Sequence, residues 1–227
     1  MNTPAVRLGG AALLVILGIC AGAWFHSSTL SVPRHSGVPV TAGEASAPNP
    51  SDMADLPSPG KIPDRLPEFS LADRSGKATS IKSFDGKSLI INFWATWCAP
   101  CRKEIPLLQA LHTEWAGRGV SVVGIAVDHR DKVLDFADRY KIAYPLLMGE
   151  QDALDAAAGF GVESPVFPFT VFTDGRGDVV ALFIGELHRP QAELILSKVQ
   201  ALNKGEIELA AARHAVAEGL QALNSAS

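Results

Sequence analysis

Asn92-Phe93-Trp94-Ala95-Thr96-Trp97-Cys98-Ala99-Pro100-Cys101 decides the reading of this chain. Leu89 to Phe93 is a short apolar run that reads as a buried strand, and Pro100 suits the first position of a following helix. The two cysteines therefore fall where a strand hands over to a helix. At a helix N-terminus the unpaired backbone N–H groups and the helix dipole favour a thiolate, the species that attacks disulfides. Cys98 takes that position. Cys101, one turn on, is placed to break the resulting mixed disulfide.

The same spacing supplies half of a zinc site, so the pair alone is ambiguous. The other half is missing from the sequence. Cys20, the third cysteine, lies in an apolar N-terminal run, and the six histidines are scattered without ligand spacing. A redox pair is the reading that the strand-to-helix context supports, with no metal and no cofactor beyond the dithiol itself.

These residues resemble the thioredoxin superfamily, and within it the membrane-anchored, extracytoplasmic reductases of the TlpA/ResA type. The lead-in hairpin of that group is echoed by Pro67-Glu68-Phe69-Ser70-Leu71-Ala72-Asp73-Arg74-Ser75-Gly76-Lys77, followed by Ile81 and Gly86-Lys87. Pro106 stands where thioredoxins carry a helix-kinking proline. Classical thioredoxins have a buried aspartate in the central strand. Asn92 in its place, and Glu104 three residues after Cys101, agree with the TlpA/ResA subgroup instead. The resemblance spans about Ile62 to Leu202 and implies an α/β thioredoxin fold: a mixed central sheet flanked by helices, with an N-terminal hairpin and a central insertion.

Several site residues follow from the resemblance. A cis-proline facing the dithiol is expected at Pro168, in Phe167-Pro168-Phe169-Thr170-Val171-Phe172, with Pro165 as the rival position. The backbone of Phe167 would then pair with an extended substrate segment. Trp97 is expected to shield the disulfide and Trp94 to pack in the core. Glu104 would accept the proton of the resolving thiol or hold its pKa up; the plainer alternative is a first-turn acid interacting with the helix dipole. Arg102 and Lys103 either favour the Cys98 thiolate or are solvated surface charges.

The rest of the chain sets limits. At 227 residues with 47% hydrophobic content, it holds one domain of ordinary size plus appendages. A net charge of -4 and no lysine or arginine cluster leave no basic field for nucleic acid. Leu8 to Phe25 carries no charge, and as a helix it would reach roughly 27 Å against a hydrocarbon core of about 30 Å. Residues 1–25 are read as a membrane anchor, with Arg7 before it placing the rest of the chain across the membrane. Ala21-Gly22-Ala23 keeps a cleaved signal peptide open; both versions export the domain to the periplasmic or extracytoplasmic side. Residues 26–61, with six prolines and no aromatic residue, read as a flexible linker.

Within residues 62–203, helical spacing is predicted over Glu104 to Trp115, with Ile105, Leu108, Leu111 and Trp115 on one face. Val120 to Val127 reads as a buried parallel strand. Further elements are a helix over Asp131 to Tyr140, a strand over Tyr144 to Met148 and a helix over Asp152 to Phe160, the last two forming the insertion. Thr170 to Thr173 and Val179 to Ile184 flank a hairpin signal, and Arg189 to Leu202 is the closing helix. Residues 204–227 form a C-terminal helical extension in which Leu209, Ala212, Val216, Leu220 and Leu223 share a face. Packing back onto its own domain is expected of that face, with a partner surface as the alternative.

The functional expectation is an exported thiol:disulfide oxidoreductase working mainly as a reductase of protein disulfides through Cys98 and Cys101. By the resemblance, its substrates would be apocytochrome c thiols in cytochrome c maturation, and its electrons would come from a membrane-embedded thiol carrier. The direction of exchange depends on relative potentials, so a disulfide oxidase is the alternative. A peroxidase is disfavoured because no T-x-x-C is present. A copper chaperone of similar fold, using His188, is the alternative from another class.

Overall fold

Two nearly continuous apolar runs form the centre of the sheet, because each is buried on both faces and needs no polar alternation. The computed structural model describes residues 62–162 and 166–225. The expected anchor or signal peptide over 1–25, the linker over 26–61 and the rival proline Pro165 lie outside the described residues. The elements in chain order are β1 (Ser70–Asp73), β2 (Ala78–Ser80), β3 (Ser88–Trp94), α1 (Ala99–Trp115), β4 (Val120–Val127), α2 (Arg130–Tyr140), β5 (Leu146–Gly149), α3 (Gln151–Ala158), β6 (Phe169–Thr173), β7 (Val179–Ile184), α4 (Arg189–Asn203) and α5 (Leu209–Ser225). Among the described residues, no helix is long and apolar enough to cross a membrane.

The seven-stranded sheet has the order β2-β1-β5-β4-β3-β6-β7. Its middle strands β3, β4 and β5 are parallel, while β1 runs antiparallel to β2 and β5, and β6 antiparallel to β3 and β7. Every residue of β3 and β4 is buried. Side chains of β3 divide by alternation. Ile90 and Trp94 join α1, α2, α4 and α5 on one face; Leu89, Ile91 and Phe93 join α3 and Phe160 on the other. This is the expected α/β thioredoxin fold with a mixed sheet.

The strand predicted over Tyr144 to Met148 starts two residues later. Pro145 has no N–H to give the ladder. Its carbonyl instead accepts from the Gly124 N–H at 2.9 Å. Gly124 itself is required by packing: a Cβ there would lie 2.7 Å from Leu146 Cδ2 and 3.0 Å from Tyr144 Cε2.

The C-terminal extension lies on its own domain. Ala212 and Val216 of α5 are fully buried, and Gly219 lets α4 approach so closely that a Cβ would meet Leu194 Cδ2 at 2.6 Å. Arg213 of the same helix donates to the Val179 carbonyl through Nε at 2.9 Å and Nη2 at 2.6 Å, and pairs with Asp64 at 2.8 Å. The chain leading into β1 uses the same edge: Val179 N–H donates to the Asp64 carbonyl at 2.9 Å and Leu66 N–H to the Gly177 carbonyl at 2.8 Å. The outer strand β7 is thereby tied at its start to both ends of the domain.

Because the layer above Gly124 has no room for a methyl group, Gly124→Ala is expected to lower stability by about 1–3 kcal/mol through overpacking. Thermal or urea denaturation of the oxidised protein measures it, and an unchanged midpoint would contradict this packing.

Candidate active site

Cys98 and Cys101 are joined in a disulfide at the point where β3 gives way to α1. Cys98 is the N-cap, with Pro100 in the first turn of the helix. The Cys101 backbone N–H donates to Cys98 Sγ at 3.3 Å, so one of the unpaired donors at the helix mouth is aimed at this sulfur. Cys98 is 5% exposed and Cys101 is 0%. Of the two, only Cys98 reaches solvent.

Glu104 follows one turn later and is 1% exposed. Its Oε1 accepts from Asn92 Nδ2 at 2.7 Å and its Oε2 from the Leu187 backbone N–H at 2.9 Å. Asn92 Nδ2 also donates to Thr170 Oγ1 at 3.0 Å, which fixes which way the amide faces. Burial pushes the Glu104 carboxyl up to about 7, against the two hydrogen bonds, with a small push from Glu186 in the same direction. Thr170 and the Leu187 amide carry no motif of their own; they are brought to Glu104 by strand register and by the loop leading into α4. Only the register Asn92↔Thr170 between β3 and β6 connects them, and that is long-range information.

Pro168 follows Phe167 through a cis peptide bond at the start of β6. The Phe167 ring meets Trp97 edge-on at 6.1 Å between centroids, and Trp97 is 66% exposed. Val166 is exposed beside them, so the mouth of the site is apolar. Trp94, by contrast, is core, tilted against Phe136 at 5.2 Å. The two neighbouring cations turn elsewhere: Arg102 Nη1 donates to the Thr96 carbonyl at 3.5 Å and Lys103 pairs with Glu186 at 3.7 Å. On the other side of the site, Thr96 donates to the buried Asp128 carboxylate at the end of β4, a link with no sequence signal. His188 is the N-cap position of α4, and among the described residues no three His, Cys, Asp or Glu side chains converge as a metal-binding group.

The sequence pattern of the AhpC/TSA family matches residues 62–183, more than half of the chain. The chain belongs to the AhpC/TSA family. Within this thioredoxin-superfamily group it is ResA/TlpA-like. It is similar to the thiol-disulfide oxidoreductase ResA of Bacillus anthracis, 31% identical over 140 residues, which cover 61% of this chain and 79% of ResA. The thioredoxin-like protein YneN of Bacillus subtilis is 34% identical over 133 residues, covering 57% of this chain and 75% of YneN. Among solved structures, a thioredoxin-family thiol:disulfide interchange protein of Chlorobium tepidum is 35% identical with a TM-score of 0.50, over 55% of this chain and 88% of that one. A secreted thiol-disulfide isomerase of Corynebacterium glutamicum is 29% identical with a TM-score of 0.54, over 61% and 85%. The AhpC/TSA match and these neighbours agree with the sheet and the C-x-x-C placement described above.

A carboxyl raised from its ordinary value of 4.5 to about 7 keeps its proton in the folded state over a range in which the unfolded chain has lost it. Stability from this group is therefore full below about pH 4.5 and is lost as pH rises through about 7. Between about pH 5 and pH 8 the oxidised protein is expected to lose about 1–3 kcal/mol on this account. Glu104→Gln should flatten that slope. Urea titrations of both proteins at the two pH values give the comparison, and parallel slopes would contradict the assignment.

Proposed function

We propose that this chain is an exported reductase of protein disulfides, with Cys98 as nucleophile, Cys101 as resolving thiol and Glu104 as the group that takes the Cys101 proton. The observation that carries this reading is the asymmetry of the pair: Cys98 is the helix cap that receives the Cys101 N–H, and Cys101 lies fully buried behind it. Thiol:disulfide oxidoreductase activity is common to the ResA-type relatives. In the reduced protein, the Cys98 thiolate attacks a substrate disulfide and forms a mixed disulfide, releasing one substrate thiolate. Cys101 gives its proton to the Glu104 carboxylate and attacks the Cys98 sulfur. The internal disulfide forms, the second substrate sulfur leaves as thiolate, and two electrons have passed to the substrate. No cofactor beyond the dithiol enters this cycle.

The direction is supported by what surrounds the sulfurs. An oxidant of this fold stabilises its own thiolate. Here the cations adjoining the pair in sequence, Arg102 and Lys103, are engaged with Thr96 and Glu186, and one turn along the helix stands the buried carboxyl of Glu104. A negative charge beside the pair disfavours the thiolate and with it the oxidase reading. The apolar mouth at Trp97, Val166 and Phe167 suits an unfolded or extended segment around a substrate cysteine, with the Phe167 backbone available for strand addition beside Pro168. Apocytochrome c, the substrate implied by the resemblance to the TlpA/ResA group, would present such a segment. A membrane-embedded thiol carrier would restore the dithiol, with the chain held by residues 1–25.

Mild alkylation of the reduced protein should label Cys98 first, and Cys98→Ala should abolish disulfide reduction. With Cys101→Ser the Cys98 mixed disulfide with substrate should accumulate, visible by nonreducing gel and mass spectrometry. Preferential labelling of Cys101, or trapping by Cys98→Ser in place of Cys101→Ser, would reverse the two roles. Export is checked separately: a reporter fused after Ser227 should appear on the non-cytoplasmic side, and a cytoplasmic reporter would overturn that part of the reading.

A further inference from the structure

Asn92, the partner of Glu104, stands in a row across the sheet with Thr170 on one side and Gly124 on the other. Neighbouring strands are about 4.8 Å apart, so the space above Gly124 adjoins the space that holds the Glu104 carboxylate. Three side chains fill it, the apolar Leu146 and the polar-tipped Tyr144 and Trp94. A Cβ on Gly124 would lie 3.0 Å from Tyr144 Cε2 and 3.2 Å from Trp94 Nε1. The Tyr144 hydroxyl and the Trp94 indole nitrogen are both buried without a hydrogen-bond partner. Two unpaired donors thus stand in the layer next to a buried carboxylate, in a surrounding where a dipole is little screened.

We propose that Tyr144, with Trp94 beside it, is a positioning residue for Glu104: the free O–H turns toward the carboxylate across the Asn92–Gly124 row and favours its ionised form. This rests on the reading of Glu104 as proton acceptor for Cys101, since an acceptor must be ionised before the resolving step. Asn92 and the Leu187 amide hold the two oxygens in place; Tyr144 and Trp94 add a donor field from the far side. Burial and the proximity of Glu104 raise the Tyr144 pKa, so its hydroxyl stays a donor throughout the working range, while Arg74 acts weakly the other way.

The groups acting on Glu104 are Asn92 of β3, with Thr170 of β6 behind it, and the Leu187 amide and Glu186 carboxylate before α4; Trp94 of β3 and Tyr144 before β5 stand in the neighbouring layer, and Cys101 and the N-cap Cys98 belong to its helix. Those acting on Tyr144 are Glu104, Arg74 and the His112 ring, edge-on at 6.3 Å. Against this set, removing the one hydroxyl changes one interaction and leaves the ring in place.

The test is Tyr144→Phe. The inflection in the pH profile of mixed-disulfide resolution should move up by about 0.5–1 unit, which is a threefold to tenfold loss of rate below the inflection, with Cys98 alkylation unchanged. Carbon-13 NMR of the Glu104 carboxyl in the oxidised protein should show the same upward shift with no turnover involved, and the Trp94 indole proton should follow that titration in the native protein but not in Glu104→Gln. A carboxyl titration that is unmoved or lowered in Tyr144→Phe overturns the proposal. Glu104→Gln separates the two ideas: if it leaves the resolution profile unmoved, the proton-acceptor reading fails, while the carboxyl titration still decides the part played by Tyr144.

Discussion

A carboxylate buried in an apolar layer has to be met by donors, and the way Glu104 is met determines how four elements come together. Its oxygens take an amide from β3 and a backbone N–H from the loop leading into α4, and the β3 amide is itself oriented by Thr170 of β6. Helix α1 is thereby fixed in rotation over the sheet, and with it the cap position of Cys98. The geometry of the disulfide and the geometry of the acid are the same problem. A chain that replaced Glu104 with an apolar residue would keep its core but lose the polar clamp that sets the register of the helix mouth over β3.

The site has a consistent electrostatic character. Both exposed cations beside the cysteines are spent on other acceptors, while Glu104, one turn along the helix, is a buried acid whose proton affinity is raised into the neutral range. A carboxylate beside a thiol disfavours its ionisation, and this is the electrostatic support for the reductase proposed above. The helix dipole and the Cys101 N–H act the other way at Cys98, the sulfur that reaches solvent.

Much of this was legible in the sequence where the signal is local. The β4 boundaries at Val120 and Val127 follow directly from a nearly continuous apolar run, and the α1 face Ile105, Leu108, Leu111 and Trp115 from simple periodicity. The cis bond at Pro168 was reached only through resemblance. Where the reading missed, the cause was non-local. Tyr144 looks like the first residue of a strand by composition, yet Pro145 cannot join the ladder, and the tyrosine ring instead fills the gap left by Gly124. Thr170, the Leu187 amide and the Asp128 contact to Thr96 are products of register and loop path, which a single sequence does not print.

The tie between Asp64, Leu66, Arg213 and the start of β7 also bears on how these molecules behave in a crowd. An open sheet edge is a template for another chain, and an extended substrate segment of the kind proposed above could pair with one. By spending Asp64 and Leu66 on Gly177 and Val179, and an arginine from α5 on the Val179 carbonyl, the domain occupies the near part of that edge with its own backbone and side chain. Protection of this edge is thus supplied by both ends of the described domain. In the proposed function, an arriving segment is then left to the mouth beside Pro168, where contact would lead to exchange and release instead of permanent capture.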